Sequence, residues 1–413
     1  MAAGLRLFQP RYLFRNMCKL RPCTYVQGRS LNGLMKNHFL SGKKIIARKL
    51  KKGLTVSDLV ENHFQAYNSA RLNEACRLLV EKMLDPKRDA TIGITLAGAI
   101  TPAGMSGQIV SMMEKGFIDF IIATGANLYH DTHFALNFPL HKGTHQVDDT
   151  TLYKHGIVRI YDVFLTTDTL LNTDKFSQKI LLDKKAPRGA VSSSEFHNYI
   201  GKCLLKEAPN PEVSILAQAA KYGIPVYTSS PGDSTYGMDL AIYNKAVNKE
   251  LNRTGSIDLH INPNADVMET AAIVLDAKEN GAVLLGGGSP KNFYMQTQPF
   301  LWECVGTEKG GHDYFIQITM DSPQWGGLSG ATPQEAVSWG KINPDELKNT
   351  VVVYSDITLA TPILFAYALE KAQPRKNKNL YSKRNELIYK LEKIIKKKPL
   401  TWVAEEFYKK HQK

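Results

Sequence analysis

The residues best suited to chemistry lie close together late in the chain. GATPQEAVSWGKIN, Gly330 to Asn343, carries Glu335, Trp339 and Lys341. The face of a tryptophan can hold an alkyl ammonium by cation–π attraction. Glu335 precedes Trp339 by one helical turn and can share its face, adding a carboxylate for a second ammonium. A lysine sheltered beside them has its pKa lowered by desolvation and cationic neighbours. It can then attack an imine or carbonyl carbon. Together the three residues suit a small polyamine. Read locally, Thr332-Pro333-Gln334-Glu335 is a capping box with proline at the first helical position, and Gly340 ends the short helix. On that evidence alone Lys341 is a surface lysine at a helix C-terminus, so both readings stand.

Such a site needs a frame. Short runs apolar on both faces start at Thr91, Ile118, Ile157, Ile224, Ala282, Tyr314 and Val351. They read as buried parallel strands. Helix-period segments lie between them. One long helix or two start at Ser57, and others start at Glu212 and Ala265, each of these two ending on a glycine. This alternation predicts an α/β fold, a doubly wound and mostly parallel sheet with helices on both faces. In such sheets ligands sit outside the carboxyl ends of the strands. Here those ends read AGAITPAG, ATGANLYHD, TSSPGDSTYG, GGGSPKN, TMDSPQWGG and SDITLATP. They are rich in small and polar residues, as a nucleotide-type ligand requires.

In LLGGGSP, Ser289 is the expected N-cap and Pro290 the first helical residue, which makes either a phosphate cradle or a tight turn. Neither GxGxxG nor a P-loop occurs. Asp356 and Asp233 could each hold ribose hydroxyls or cap a helix. His130, His133, His141 and His145 cluster in sequence, but without a helical HxxxH pair or a nearby cysteine no metal site is expected.

Charge is distributed unevenly over the 413 residues. Residues 1–52 hold 13 Lys/Arg and no acid; residues 371–413 hold 14 against 4 acids. The body between them is therefore acidic, 25 basic against 35 acidic residues, inside a chain of net charge +13. An acidic body suits a cationic substrate and is a poor platform for nucleic acid. No apolar run is long enough for a membrane span. Five scattered cysteines fit a reducing compartment, and the cytoplasm is the expected location. MAAGLRLFQPRYLFRNMCKLRP is Arg-rich and acid-free, so a mitochondrial presequence is an alternative, as is an over-extended start. The expected division is a basic extension over 1–52, a catalytic domain over 53–373 and a basic tail over 374–413. QPRKNKN is read as a linker, followed by a basic helix whose apolar face is Leu387, Ile388, Leu391, Ile394 and Ile395.

SGATPQEAVSWGKI strongly resembles the active-site lysine motif of deoxyhypusine synthases. PVYTSSPGDSTYG, VLLGGGSPKN and VYSDITLATP follow the same family order, and the resemblance covers roughly residues 55–372. It implies an NAD-binding fold and a homotetramer with active sites at subunit interfaces. It also implies transfer of the aminobutyl group of spermidine through an imine on Lys341. The acceptor is a lysine of a hypusine-carrying translation factor in some members and putrescine in homospermidine synthases. By position, Lys341 matches the nucleophile, while Trp339 and Glu335 match substrate contacts. Thr124, Gly125, Asp233, Gly287, Thr319, Asp356 and Ile357 fall where the family binds NAD. Departures cluster at the amine site. Asn292 stands for a histidine and Leu328 for an acid, Met238 aligns with an acid that appears one step later as Asp239, and Tyr129 and His130 replace paired glutamates. Asn292, Asp239 and His130 are therefore candidate substrate contacts. The pattern resembles the deoxyhypusine-synthase-like branch of bacteria.

Overall fold

The computed structural model describes residues 40–250, 257–397 and Lys409. The presequence-like stretch lies outside the described residues. From Arg48 onward the chain forms one unit.

Eleven strands occur among the described residues, in three sheets: β1 (Ala90–Leu96), β2 (Phe120–Ala123), β3 (His141–Lys142), β4 (Ile157–Ile160), β5 (Val163–Thr166), β6 (Gly189–Val191), β7 (Val226–Thr228), β8 (Leu259–Ile261), β9 (Glu279–Leu285), β10 (Tyr314–Thr319) and β11 (Thr350–Tyr354). Six of them form the main sheet in the order β11-β10-β9-β1-β2-β7, and every pairing is parallel. Counted along the chain, this is the 3-2-1-4-5-6 order of doubly wound nucleotide-binding sheets. The order reverses between β1 and β9, which opens a crevice above their carboxyl ends.

Side-chain alternation explains why these runs lack polar positions. Ile92, Ile94, Val283, Ile316 and Ile318 face one core with the Ser106–Glu114 and Ile357–Lys371 helices. Phe120, Ile122, Ala282, Leu284 and Phe315 face a second core with the Pro263–Asp276 and Leu380–Ile395 helices. Both faces are covered, so both must be apolar.

Four expectations at the level of elements change. The Ile157 run is not a core strand. It bends at Tyr161, which has φ 54°, into the antiparallel β4–β5 hairpin of a separate three-stranded sheet with β3. The Ala265 segment belongs to a helix that ends at Ala277 rather than at a glycine, because Gly281 is already inside β9. The helix after the triple glycine starts at Gly288 with Gly287 as N-cap, ahead of Ser289. QPRKNKN is no free linker: the Arg375 guanidinium is 9% exposed and donates to the Asp119 carboxylate at 3.0 Å, to Gly116 O at 3.0 Å and to Ala90 O at 3.0 Å. It is seated beneath the amino ends of β1 and β2. The helix beyond it buries Leu387 and Leu391 against the second core, and Arg384 pairs with the buried Glu269 carboxylate at 3.0 Å.

Candidate functional site

The Pro333–Ser338 helix is only six residues long and is held at both ends. Thr332 caps it by accepting from Glu335 N–H at 3.1 Å. Gly340, at φ 65°, turns the chain back beneath Trp302, where a Cβ would lie 2.8 Å from the indole nitrogen. Glycine is therefore needed for both conformation and space. The next residue, Lys341, is fixed through its backbone. Its N–H donates to Ala336 O at 2.9 Å, its carbonyl accepts from His312 N–H at 2.9 Å, and Asn343 N–H returns to His312 O at 3.1 Å. The neighbouring Ile342 forms an isolated parallel bridge with His312, two residues ahead of β10, which ties this segment to the start of that strand.

The Lys341 side chain enters a cavity of about 320 Å³ lined also by Lys291, Asn292, Leu328, Glu335 and Trp339. Nζ donates to Asn292 Oδ1 at 3.1 Å and lies 5.6 Å from the Trp339 ring centroid. Burial holds the amine below the usual lysine range, while the Glu335 carboxylate works the other way. Trp339 is 58% exposed, so its ring is open to a ligand as well as to Lys341. Four sequence candidates, Lys341, Asn292, Glu335 and Trp339, therefore share one cavity.

One residue of that cavity escapes the sequence reading. Lys291 is 4% exposed. Its Nζ donates to Gln317 Oε1 at 3.0 Å, Ser329 O at 3.2 Å and Ala331 O at 2.7 Å. Helical spacing carried a signal: Lys291 falls on one face with the buried Tyr294 and Met295.

The crevice at the reversal point is bounded by the glycine turn after β9. A Cβ on Gly287 would lie 2.4 Å from Ser329 Cα, so the turn packs directly on the segment leading to Lys341. Ser329 Oγ accepts from Gly288 N–H at 2.8 Å. Gly98 and Gly288 face open space. Thr124 caps the Gly125–Ala135 helix after β2 and donates to Gly98 O. Thr319 ends β10, and its hydroxyl accepts from Asp321 N–H at 3.1 Å. Asp356 caps the helix after β11, with Oδ1 accepting from Thr358 N–H at 2.8 Å, and remains exposed. Ile357 starts that helix and packs beside Gly286. Small residues, open glycines and two capped helix starts make a cradle of the kind a dinucleotide's phosphates and riboses use.

His130 and Asp233 line a different cavity, of about 360 Å³, with Tyr129, Met238, Val158 and Leu170. Gly125 lies against the Ser234 side chain at its edge. Asp239 does not line this cavity. It is buried, and burial followed by the Asp174 carboxylate pushes its carboxyl up to about 7. His130 packs 5.1 Å from the His133 ring, and burial lowers it to about 4, so it is neutral near pH 7. Neither His130 nor Asp239 shares the Lys341 cavity within one chain.

Comparison with known proteins bears on this arrangement. The family model described as deoxyhypusine synthase matches residues 58–368. A deoxyhypusine synthase-like protein of Nostoc punctiforme is 47% identical over 360 residues, covering 85% of this chain and 89% of its own. A protein of Archaeoglobus fulgidus named "Probable deoxyhypusine synthase 1" is 36% identical over 329 residues, covering 79% of this chain and 98% of its own. A crystal structure of an Entamoeba histolytica protein named for the same family superposes with TM-score 0.52 at 14% identity, covering 80% of this chain and 99% of that one. At that identity it speaks for the fold alone.

Proposed function

The chain belongs to the deoxyhypusine synthase family, and from that premise we propose that it transfers the aminobutyl group of spermidine to an acceptor amine through an imine on Lys341. The observation that carries this reading is the amine of Lys341, half-buried, bonded to Asn292 and set beside the open face of Trp339 and the carboxylate of Glu335 in one cavity.

NAD is the cofactor of this reading; when bound it takes a hydride from the carbon beside the donor's secondary nitrogen and later returns one to the product. Gly98, Thr124, Gly125, Gly287, Thr319, Asp356 and Ile357 would hold it at the crevice. The chain's own residues do the rest. Glu335 and Trp339 anchor an ammonium of the donor. Neutral Lys341 forms a C–N bond to the oxidised carbon, and the bond from that carbon to diaminopropane's nitrogen breaks, the leaving amine taking a proton. The acceptor amine then displaces Lys341. Asn292 can accept a hydrogen bond from the lysine but cannot take a proton, so it orients the nucleophile and is not a base.

A lysine of a hypusine-carrying translation factor is one acceptor. A second reading is transfer to a small amine such as putrescine, and it is supported by an altered amine grip, since Leu328 lines the cavity half-exposed where the resemblance expects an acid. Borohydride trapping tests the core claim. Protein incubated with NAD and spermidine, or with NAD and putrescine, is reduced, digested and analysed by mass spectrometry. A four-carbon amine on Lys341, lost in Lys341→Ala, is the expected result, and the productive donor separates the branches. Protein that binds NAD yet gives no adduct with either donor would sink the proposal. We further propose a homotetramer in which the His130–Asp233 cavity of one subunit completes the Lys341 cavity of another.

A further inference from the structure

The Lys341 cavity has a neighbour. Gln296, whose N–H donates to Asn292 O at 2.8 Å one helical turn back, lines the Lys341 cavity and also a further one of about 250 Å³. Gln296 is exposed, so the two cavities open side by side at its side chain. The further cavity is walled by Val267 of the Pro263–Asp276 helix, Phe293 of the Gly288–Met295 helix, and Phe300, Glu303 and Cys304 of the Phe300–Val305 turn. That turn is tied to the segment carrying the lysine. Trp302 Nε1 donates to Trp339 O at 3.3 Å, and the same indole occupies the space that a Cβ on Gly340 would need.

Each cavity has one carboxylate in its wall, Glu335 in the first and Glu303 in the second. Glu303 is exposed, and among the described residues it enters no ion pair. Its charge is felt by Cys304, whose thiol is pushed up by burial and then by Glu303. Phe293 and Phe300 are half-buried, so part of each ring remains open. A carboxylate beside aromatic rings and an aliphatic wall suits an ammonium on an alkyl chain. The carboxylate meets the charge, the rings add cation–π attraction, and the apolar wall takes the methylenes. A metal ion would need several oxygen ligands at once, which one carboxylate does not supply.

We propose that the Glu303 cavity is a second amine subsite, which holds the far ammonium of a linear polyamine whose near ammonium lies with Glu335 and Trp339. The inference rests on the Lys341 cavity being an amine site. It supplies, from a separate element, the second anion that the Lys341 cavity lacks where Leu328 stands. The substrate class is then an amine chosen by length, one that reaches past Gln296 with a cation at each end.

Calorimetric titration of the full-length protein tests this without NAD or turnover. The ligands are putrescine, 1,8-diaminooctane and spermidine. The two diamines carry the same charge and differ in length, whereas 1,8-diaminooctane and spermidine share a length and differ in charge. Glu303→Gln should weaken both long amines by about five- to tenfold and leave putrescine within about twofold. Glu335→Gln should weaken all three. Cys304→Phe, which fills the cavity and keeps its carboxylate, should act on the long amines as Glu303→Gln does. Near-ultraviolet circular dichroism checks that each variant is folded. Equal losses for the two diamines in Glu303→Gln, or none, would overturn the proposal. So would unchanged long-amine affinity in Cys304→Phe, or protein that binds none of the three amines. Length selection through Glu303 without any borohydride-trapped adduct would sink the reaction and leave the subsite standing. An adduct on Lys341 with no selective effect of Glu303→Gln would do the reverse.

Discussion

Asp239 shows how a single residue can align in sequence and yet be placed elsewhere. Its neighbour Met238 occupies the cavity wall at 61% exposure, while Asp239 turns inward and is 8% exposed. A one-position displacement on a helix rotates a side chain by about a quarter turn, enough to exchange a ligand contact for a buried carboxyl. Its folded pKa is raised, so the folded state binds more protons than the unfolded chain between the ordinary carboxyl range and about 7. Stability therefore falls as pH rises across that window. Asp239→Asn should raise Tm at about pH 8 and much less at about pH 4. A Tm gain of equal size at both ends would mean that the carboxyl is not the source. Lys291 was hidden for a related reason. Its three acceptors come from β10 and the Ser329–Ala331 segment, far along the chain, and only the folded sheet brings them together. Glu335 and Trp339 were legible because one helical turn relates them, whereas Lys341, beyond the Gly340 turn, was legible only through the motif's resemblance to the family.

At the scale of elements, the strands of the main sheet were readable because burial on both faces leaves an unmistakable apolar run. The β4–β5 hairpin was not, since its bend uses Tyr161 and Asp162 rather than the glycine or asparagine pairs that mark such turns. The caps were legible at Thr332 and Asp356, whose side chains bond where a capping residue should. The Pro333–Ser338 helix has too few residues to be stable by itself. Its position therefore depends on the cap and on the Lys341–His312 backbone bonds. Thr332→Ala should cost about 1 kcal/mol of stability. Its effect on the rate of adduct formation at Lys341 should be larger than that modest loss suggests, because the helix carries Glu335 and Trp339. Thermal melts and single-turnover trapping on one preparation would separate the two effects. A rate equal to that of the unaltered protein would show that the helix stays in place without its cap.

For the whole molecule, the main consequence is that one chain offers two cavities whose linings do not overlap. If subunits complete each other's sites, two differently disabled proteins can repair one another. Lys341→Ala and Asp233→Ala subunits, each inactive alone, should regain diaminopropane release when co-expressed as mixed oligomers. Mixed oligomers confirmed by native mass spectrometry that stay inactive would show that the cavities do not meet across an interface.

The seat of Arg375 has a further consequence, which concerns timing. Asp119 at the start of β2 is buried, and burial pushes its carboxyl up even with Arg375 beside it. The arginine lies 256 residues later in the chain. At about 5–20 residues per second, a ribosome takes on the order of half a minute to make that partner. Until then β2 cannot enter the sheet with its carboxylate ionised without leaving a buried charge unpaired, a penalty of about 3–5 kcal/mol. The ionised form of this site is thus completed only after nearly the whole chain has been made. A protein ending before Arg375 would have to bury that carboxyl unpaired or protonated, so its stability should fall more steeply with rising pH than that of the full chain, which melts of the two would compare.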